Sequence, residues 1–144
     1  MESENTDSLE HDRSVIHQRV RRQHSSEIAH DYVEAIHEIR QTGSLVRVSD
    51  LQEVFGVSHV TVIRTLKRLY EKELITGTKS KEISLTDLGE SIARRAQEKH
   101  EIVRNLFVKL GVSREQSDAD AEGVEHHLSE ETLNAIQRFL ESTP

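Results

Sequence analysis

The chain has 144 residues, enough for one domain or two small ones, and carries a net charge of −7 at neutral pH. It holds no cysteine, which excludes disulfides, thiolate metal sites and cysteine nucleophiles together. No apolar run approaches the ~20 residues that span a bilayer. Met1 to Asp12 is acidic and polar, unlike a signal peptide, so a soluble, cytoplasmic protein with no membrane partner is expected.

In chain order, residues 1–24 are polar, mixed in charge and without apolar periodicity. They read as a flexible N-terminal tail, with Arg19, Arg21 and Arg22 available to a polyanion. Ser25 and Ser26 are suited to cap a helix running to Gln41, with Ile28, Tyr32, Ala35, Ile36 and Ile39 at helical spacing. A short second helix, capped by Ser49, carries Leu51, Val54 and Phe55; Gly56-Val57 makes a turn. Ser58 then caps a third helix that points Val62, Leu66 and Leu69 inward. Thr76 to Leu85 is dense in β-branched residues, glycine and lysine, which predicts a two-stranded ribbon with Gly77 to Lys81 at its tip. Thr86 opens a long helix to Leu110, stopped by Gly111, and two more helices fit Arg114 to Leu128 and Ser129 to Leu140. The fold class is therefore mostly α: a winged helix-turn-helix over 25–85, followed by an all-α domain over 86–144.

Charge is unevenly distributed along these elements. From Arg40 to Glu82 there are eight Lys/Arg against five Asp/Glu; from Glu98 to Glu131 there are four against nine. A basic middle and an acidic C-terminal part imply separate tasks. The middle has the form of a helix-turn-helix, and its third helix would present His59, Val60, Thr61, Arg64 and Thr65 to base edges of double-stranded DNA. Lys67, Arg68 and Lys72 suit phosphates, which position a protein without reading sequence. Lys79 and Lys81 make the ribbon a wing against the DNA backbone. Gln52 departs from the small residue usual four positions before the turn glycine, and its longer side chain must snorkel or tilt the helix pair.

The acidic part holds Glu122-Gly123-Val124-Glu125-His126-His127. On a helix, Glu122, Glu125 and His126 converge on one face, whereas His127 points roughly 100° away. Two carboxylates and an imidazole suit Mn²⁺, Fe²⁺ or Zn²⁺. Alone, such a cluster is more often a solvated acidic face than a ligand set, and a divalent ion needs further ligands. Asp31-x-x-Glu34 pairs two more carboxylates on the first helix, and His100 stands near the apolar side of the long helix.

This order of parts resembles the manganese-responsive short branch of the diphtheria-toxin-repressor family of metal-dependent transcriptional regulators. The resemblance rests on the Asp-x-x-Glu helix, the winged helix-turn-helix, Lys99-His100-Glu101, and the stretch Asp120 to Ser129, and it covers about residues 26–141. It implies a repressor of metal-uptake genes that binds palindromic operator DNA as a homodimer when Mn(II) is bound, with two ions per subunit. One ion would be held by Asp31, Glu122, Glu125 and His126. The second would be held by Glu34, His100, a shared Glu125 and the Glu122 carbonyl. Iron-responsive relatives carry sulfur ligands at the positions of Asp31 and Glu122, where this chain has oxygen. The resemblance leaves His127 in a supporting role and His30 and His37 at the surface.

An Fe(II)-responsive regulator of the same fold is the alternative reading. A ferritin-like di-iron carboxylate protein would use Glu-x-x-His pairs, and Glu27-x-x-His30 and Glu34-x-x-His37 have that spacing. Both pairs share one helix, however, and the glycine turn and ribbon have no place in such a bundle. A sensor of an organic ligand is disfavoured by an aromatic content of 3%. No nucleophile–base arrangement stands out, so catalysis is not expected. Leu106, Phe107, Leu110, Val124, Leu128, Leu133, Ile136 and Phe139 supply either a dimer interface or intrachain core.

Overall fold

The computed structural model of the chain describes residues 3–77 and 82–142, with side chains except those of 3–12 and 23. Among these residues the elements are α1 (Ser3–Gln41), α2 (Val48–Phe55), α3 (His59–Glu71), α4 (Asp87–Lys109), α5 (Arg114–Val124), a 3₁₀ turn (Glu125–His127) and α6 (Glu130–Ser142). The chain is thus mostly helical.

Helix α1 does not begin at Ser25 or Ser26. It runs from Ser3, and no glycine or proline interrupts it before Gln41. Serine is only mildly unfavourable inside a helix, so a potential cap with no breaker before it is absorbed. Ser49 is likewise inside α2 rather than capping it: Arg47 occupies the cap, and its N–H donates to Asp50 Oδ2 at 2.8 Å. The other expected caps form. Ser58 Oγ accepts from the Thr61 N–H, Thr86 Oγ1 from the Gly89 N–H, and Ser129 Oγ from the Thr132 N–H. Between α2 and α3, Gly56 takes φ 61°, a left-handed conformation open to glycine without a Cβ penalty.

One core gathers Tyr32, Val33 and Ile36 of α1, Leu51 of α2, and Val62, Leu66 and Leu69 of α3. Leu74, Ile75, Ile83, Leu85 and Ala93 close it. Tyr32 stacks on Phe55 with ring centroids 4.2 Å apart. Burying each fully enclosed leucine contributes about 1.5–3 kcal/mol, so this core fixes α1 against the α2–α3 pair. A smaller cluster joins Val103 of α4, Ala121 of α5 and Leu133 of α6, with Ile102, Phe107 and Leu128 packed against it. Helix α4 belongs to both clusters. Its first turn passes so close to Leu74 that a Cβ on Gly89 would lie 2.2 Å from the Leu74 carbonyl oxygen.

The expected ribbon is reduced among the described residues to isolated antiparallel bridges, Val46 with Ile83 and Ile75 with Leu85. The Thr76 N–H donates to the Ser84 carbonyl at 2.9 Å, which brings the two arms together. The tip, with Lys79 and Lys81, lies outside the described residues.

The expected helix from Arg114 to Leu128 also divides. Regular α-helix ends at Val124, and Glu125 to His127 tighten into a 3₁₀ turn before Leu128 becomes extended. The tighter turn matters because it sets where Glu125 and His126 point.

Candidate metal centre and nucleic-acid interface

Asp31 and Glu34 lie one turn apart on α1. Glu34 lines one recess with His100 of α4, Glu122 of α5 and Glu125 of the 3₁₀ turn, and both carboxylates line a second with Glu122 and His126. His100 Nδ1 stands 3.1 Å from Glu125 Oε2 and 3.4 Å from Glu122 Oε2. Ligand atoms of these three residues all lie within 4.8 Å of one another. On the other side of Glu125, His126 Nε2 is 3.6 Å from Glu125 Oε1 and 3.4 Å from Asp31 Oδ1. Glu125 therefore sits between the two histidines and is itself 2% exposed. Glu34 lines the same recess as His100, Glu122 and Glu125.

The electrostatics of this recess are unfavourable without a cation. Burial raises the Glu34 carboxyl to about 7, with the neighbouring Glu125, Glu122 and Asp31 charges adding to the rise. Burial likewise raises Glu125 to about 7; His100 and His126 oppose the shift and Glu122 reinforces it. His126 is raised, chiefly by its hydrogen bond to Asp31. Glu34 Oε1, His100 Nδ1 and Glu125 Oε2 are buried without a hydrogen-bond partner. Buried polar atoms are rarely left so, and clusters of them mark a place for an ion or water.

Asp118 explains part of this arrangement. Its Oδ1 is 3.1 Å from His100 Nε2 and 3.5 Å from Arg104 Nη1. The same hydrogen bond holds the Asp118 carboxyl below its ordinary range. With the His100 proton on Nε2 toward Asp118, Nδ1 presents a lone pair to Glu122 and Glu125. Three electron-rich donors then face one another, as a divalent cation requires. The oxygen- and nitrogen-only donor set fits Mn²⁺, a hard to borderline ion.

Sequence reasoning passed over Asp118. The signal was present: Asp118 is four residues before Glu122, and Arg104 four after His100, so each shares a helical face with a recess residue. His127 takes a place of its own, 3.2 Å from Glu27 and exposed. His37 is not a surface residue. It is 9% exposed, with Nδ1 2.9 Å from Glu90 and Nε2 3.0 Å from Gln41 Nε2, because α4 packs over that turn of α1. His30 is half-buried, its ring 6.5 Å from that of His126.

On α3, His59, Val60, Thr61, Arg64, Lys67 and Arg68 are exposed, while Thr65 is half-buried and donates to the Thr61 carbonyl at 2.9 Å. Gln52 is half-buried, and the Val57 N–H donates to its carbonyl across the turn.

With this geometry in hand, likeness to known proteins is decisive. The chain is 44% identical over 124 residues to the transcriptional regulator MntR of Escherichia coli O157:H7, covering 85% of this chain and 79% of that one. The chain belongs to the MntR family of transcriptional regulators. A more distant MntR, the HTH-type regulator of Bacillus subtilis (strain 168), is 31% identical over 106 residues, covering 74% of this chain and 75% of that one. Residues 86–143 match the family described as iron dependent repressor, metal binding and dimerisation domain. A solved manganese-dependent transcriptional repressor in complex with manganese superposes with a TM-score of 0.71 at 26% identity, over 80% of this chain. This chain spans about half of that structure, 53%. The recess described above draws His100, Glu122, Glu125 and His126 from the part matched to the metal-binding and dimerisation family, and Asp31 and Glu34 from outside it. No helix among the described residues is long and apolar enough to cross a membrane.

Proposed function

We infer that, in this manganese-responsive transcriptional regulator, Asp31, Glu34, His100, Glu122, Glu125 and His126 hold Mn(II), two ions per subunit with Glu125 between them. The observation that carries this reading is the cluster of buried atoms on Glu34, His100 and Glu125 that make no hydrogen bond, with His100 Nδ1 and Glu125 Oε2 3.1 Å apart, delivered by α1, α4 and the 3₁₀ turn. Bound Mn(II) supplies positive charge that offsets the mutual repulsion of the carboxylates and ties the three segments together.

Without that charge, Glu34 and Glu125 favour protonation or separation, and separation moves α1 away from the 3₁₀ turn. Helix α1 is also the helix on which α2 and α3 pack. The spacing between α1 and α4 therefore governs where α3 sits relative to the C-terminal helices. We read α2, the Gly56 turn and α3 as a helix-turn-helix, with the segment around Lys79 and Lys81 as its wing. His59, Val60, Thr61, Arg64 and Thr65 face base edges, and Lys67 and Arg68 face phosphates.

One such unit reads few base pairs, so two subunits act together on a palindromic operator. Leu110, 66% exposed, and Phe139, 44% exposed, offer an apolar face for the second copy, whereas Leu133 is intrachain core. Coupling of about 1–3 kcal/mol between metal and DNA sites corresponds to roughly 5–150-fold tighter operator binding. Titrating Mn(II) while following operator affinity by fluorescence anisotropy, with bound manganese counted by plasma mass spectrometry, tests both halves. A DNA affinity indifferent to Mn(II) sinks the proposal.

A further inference from the structure

The part of α1 before Ser25 is not absorbed by the metal or operator reading. From Arg13 to His24 the chain holds four arginines, Arg13, Arg19, Arg21 and Arg22, and no acidic residue. Every described side chain in this stretch is exposed, Val15, Ile16 and Val20 included. Arg21 Nε makes a 3.4 Å contact with the His17 carbonyl, one turn back along the same helix.

The placement of this stretch relative to α3 is set by the next two turns. Ser25, Ile28 and Ala29 of α1 line one cleft with Thr65, Arg68 and Leu69 of α3 and with Lys72 just past its end. Arg21 lies four residues before Ser25, and Arg22 three before it. Both therefore fall on the side of α1 that faces α3, one turn further out. The exposed cationic edge of α3, Arg64, Lys67 and Arg68, with Lys72 just past its end, thus continues onto α1 through Arg21 and Arg22.

We propose that this outer stretch of α1 is a second DNA-contacting element, in which Arg21 and Arg22 engage backbone phosphates flanking the bases read by α3. The inference rests on the DNA-reading assignment of α3. Twelve residues of helix from Ser25 back to Arg13 extend about 18 Å, or about five base-pair steps at ~3.4 Å each. Asp12 and the acidic residues before it limit the contact to that length. Such contacts widen the footprint and add affinity without adding sequence preference.

The test uses the full chain with Mn(II) and the duplex that it recovers from a random-sequence pool. That duplex is prepared trimmed to its protected core and with six base pairs restored on each side. Replacing Arg21 and Arg22 together by Gln keeps helix propensity. The expected result is weaker binding to the long duplex with little change on the trimmed one. The slope of log affinity against log salt should become shallower by about 1.8 per subunit, at ~0.9 per lost phosphate contact. The matching Lys variant keeps the charge and should keep the wild-type slope. Equal affinity and slope for wild type and Gln variant on both duplexes overturn the inference, as does an equal loss in the Lys variant. Arg64→Ala separates the two readings. If it weakens binding while the α1 variants do nothing, α3 stands and this element falls; if the wild type recovers no duplex, both fall.

Discussion

Glu125→Gln probes the recess most directly. Glu125 is buried between two histidines and held at about 7, against an ordinary 4.5. A carboxyl raised in the folded state stabilises the fold most below its unfolded value. That stability is lost as pH rises from about 4.5 through about 7 and stays lost above. The stability lost by pH 8 is on the order of a few kcal/mol, and much less of it is lost by pH 5. Glu34 shares the same field and the Gln amide must itself be desolvated, so about 1–2 kcal/mol is the expected gain for the metal-free variant at pH 8. For a chain of this size that raises Tm by about 2–8 °C. Differential scanning calorimetry in chelator, from pH 5 to pH 8, reads the effect. The variant should melt above wild type at pH 8 and close to it at pH 5, and Mn(II) should stabilise only the wild type. A variant that melts below wild type at pH 8, or by a margin independent of pH, refutes the reasoning about a strained carboxylate cluster.

Asp118→Asn should weaken Mn(II) affinity roughly 10-fold or more by releasing the ring of His100 while leaving the fold intact, read by calorimetric titration beside circular dichroism. Gly89→Ala places a methyl group within 2.2 Å of the Leu74 carbonyl oxygen, so urea unfolding should show a loss of about 3 kcal/mol or more. Ser58→Ala removes the oxygen that accepts from the Thr61 N–H and should cost about 1 kcal/mol in the same assay. Arg64→Ala should lower operator affinity by about 1–3 kcal/mol if it reads a base edge, and relax preference at one position, measured by competition among single-base operator variants.

Local chemistry was legible in the chain itself. The apolar spacing of Val62, Leu66 and Leu69 and the caps at Ser58, Thr86 and Ser129 depend on residues a few positions apart, and they form as read. Local signals failed where two rules competed. Ser25 and Ser26 read as a start but sit within an unbroken helix, and Ser49 gave way to Arg47 because Asp50 fixes the N–H three residues before it. The ribbon expected over Thr76 to Leu85 closes only through isolated bridges among the described residues.

What the chain determined by itself was the inventory: an oxygen- and nitrogen-only donor set, caps and turns in a recognisable order, and a basic middle before an acidic end. Only the tertiary structure decided which of these groups meet. Asp31 and His126 are 95 positions apart in sequence yet 3.4 Å apart in space. His37 became buried only because Glu90 arrives from α4, and Leu133 was divided from Phe139 only by the packing of α4 against α6. Helix periodicity and capping act over single turns. Convergence of carboxylates, and the burial that raises Glu34 and Glu125, exist only once separate helices exclude water from a shared recess.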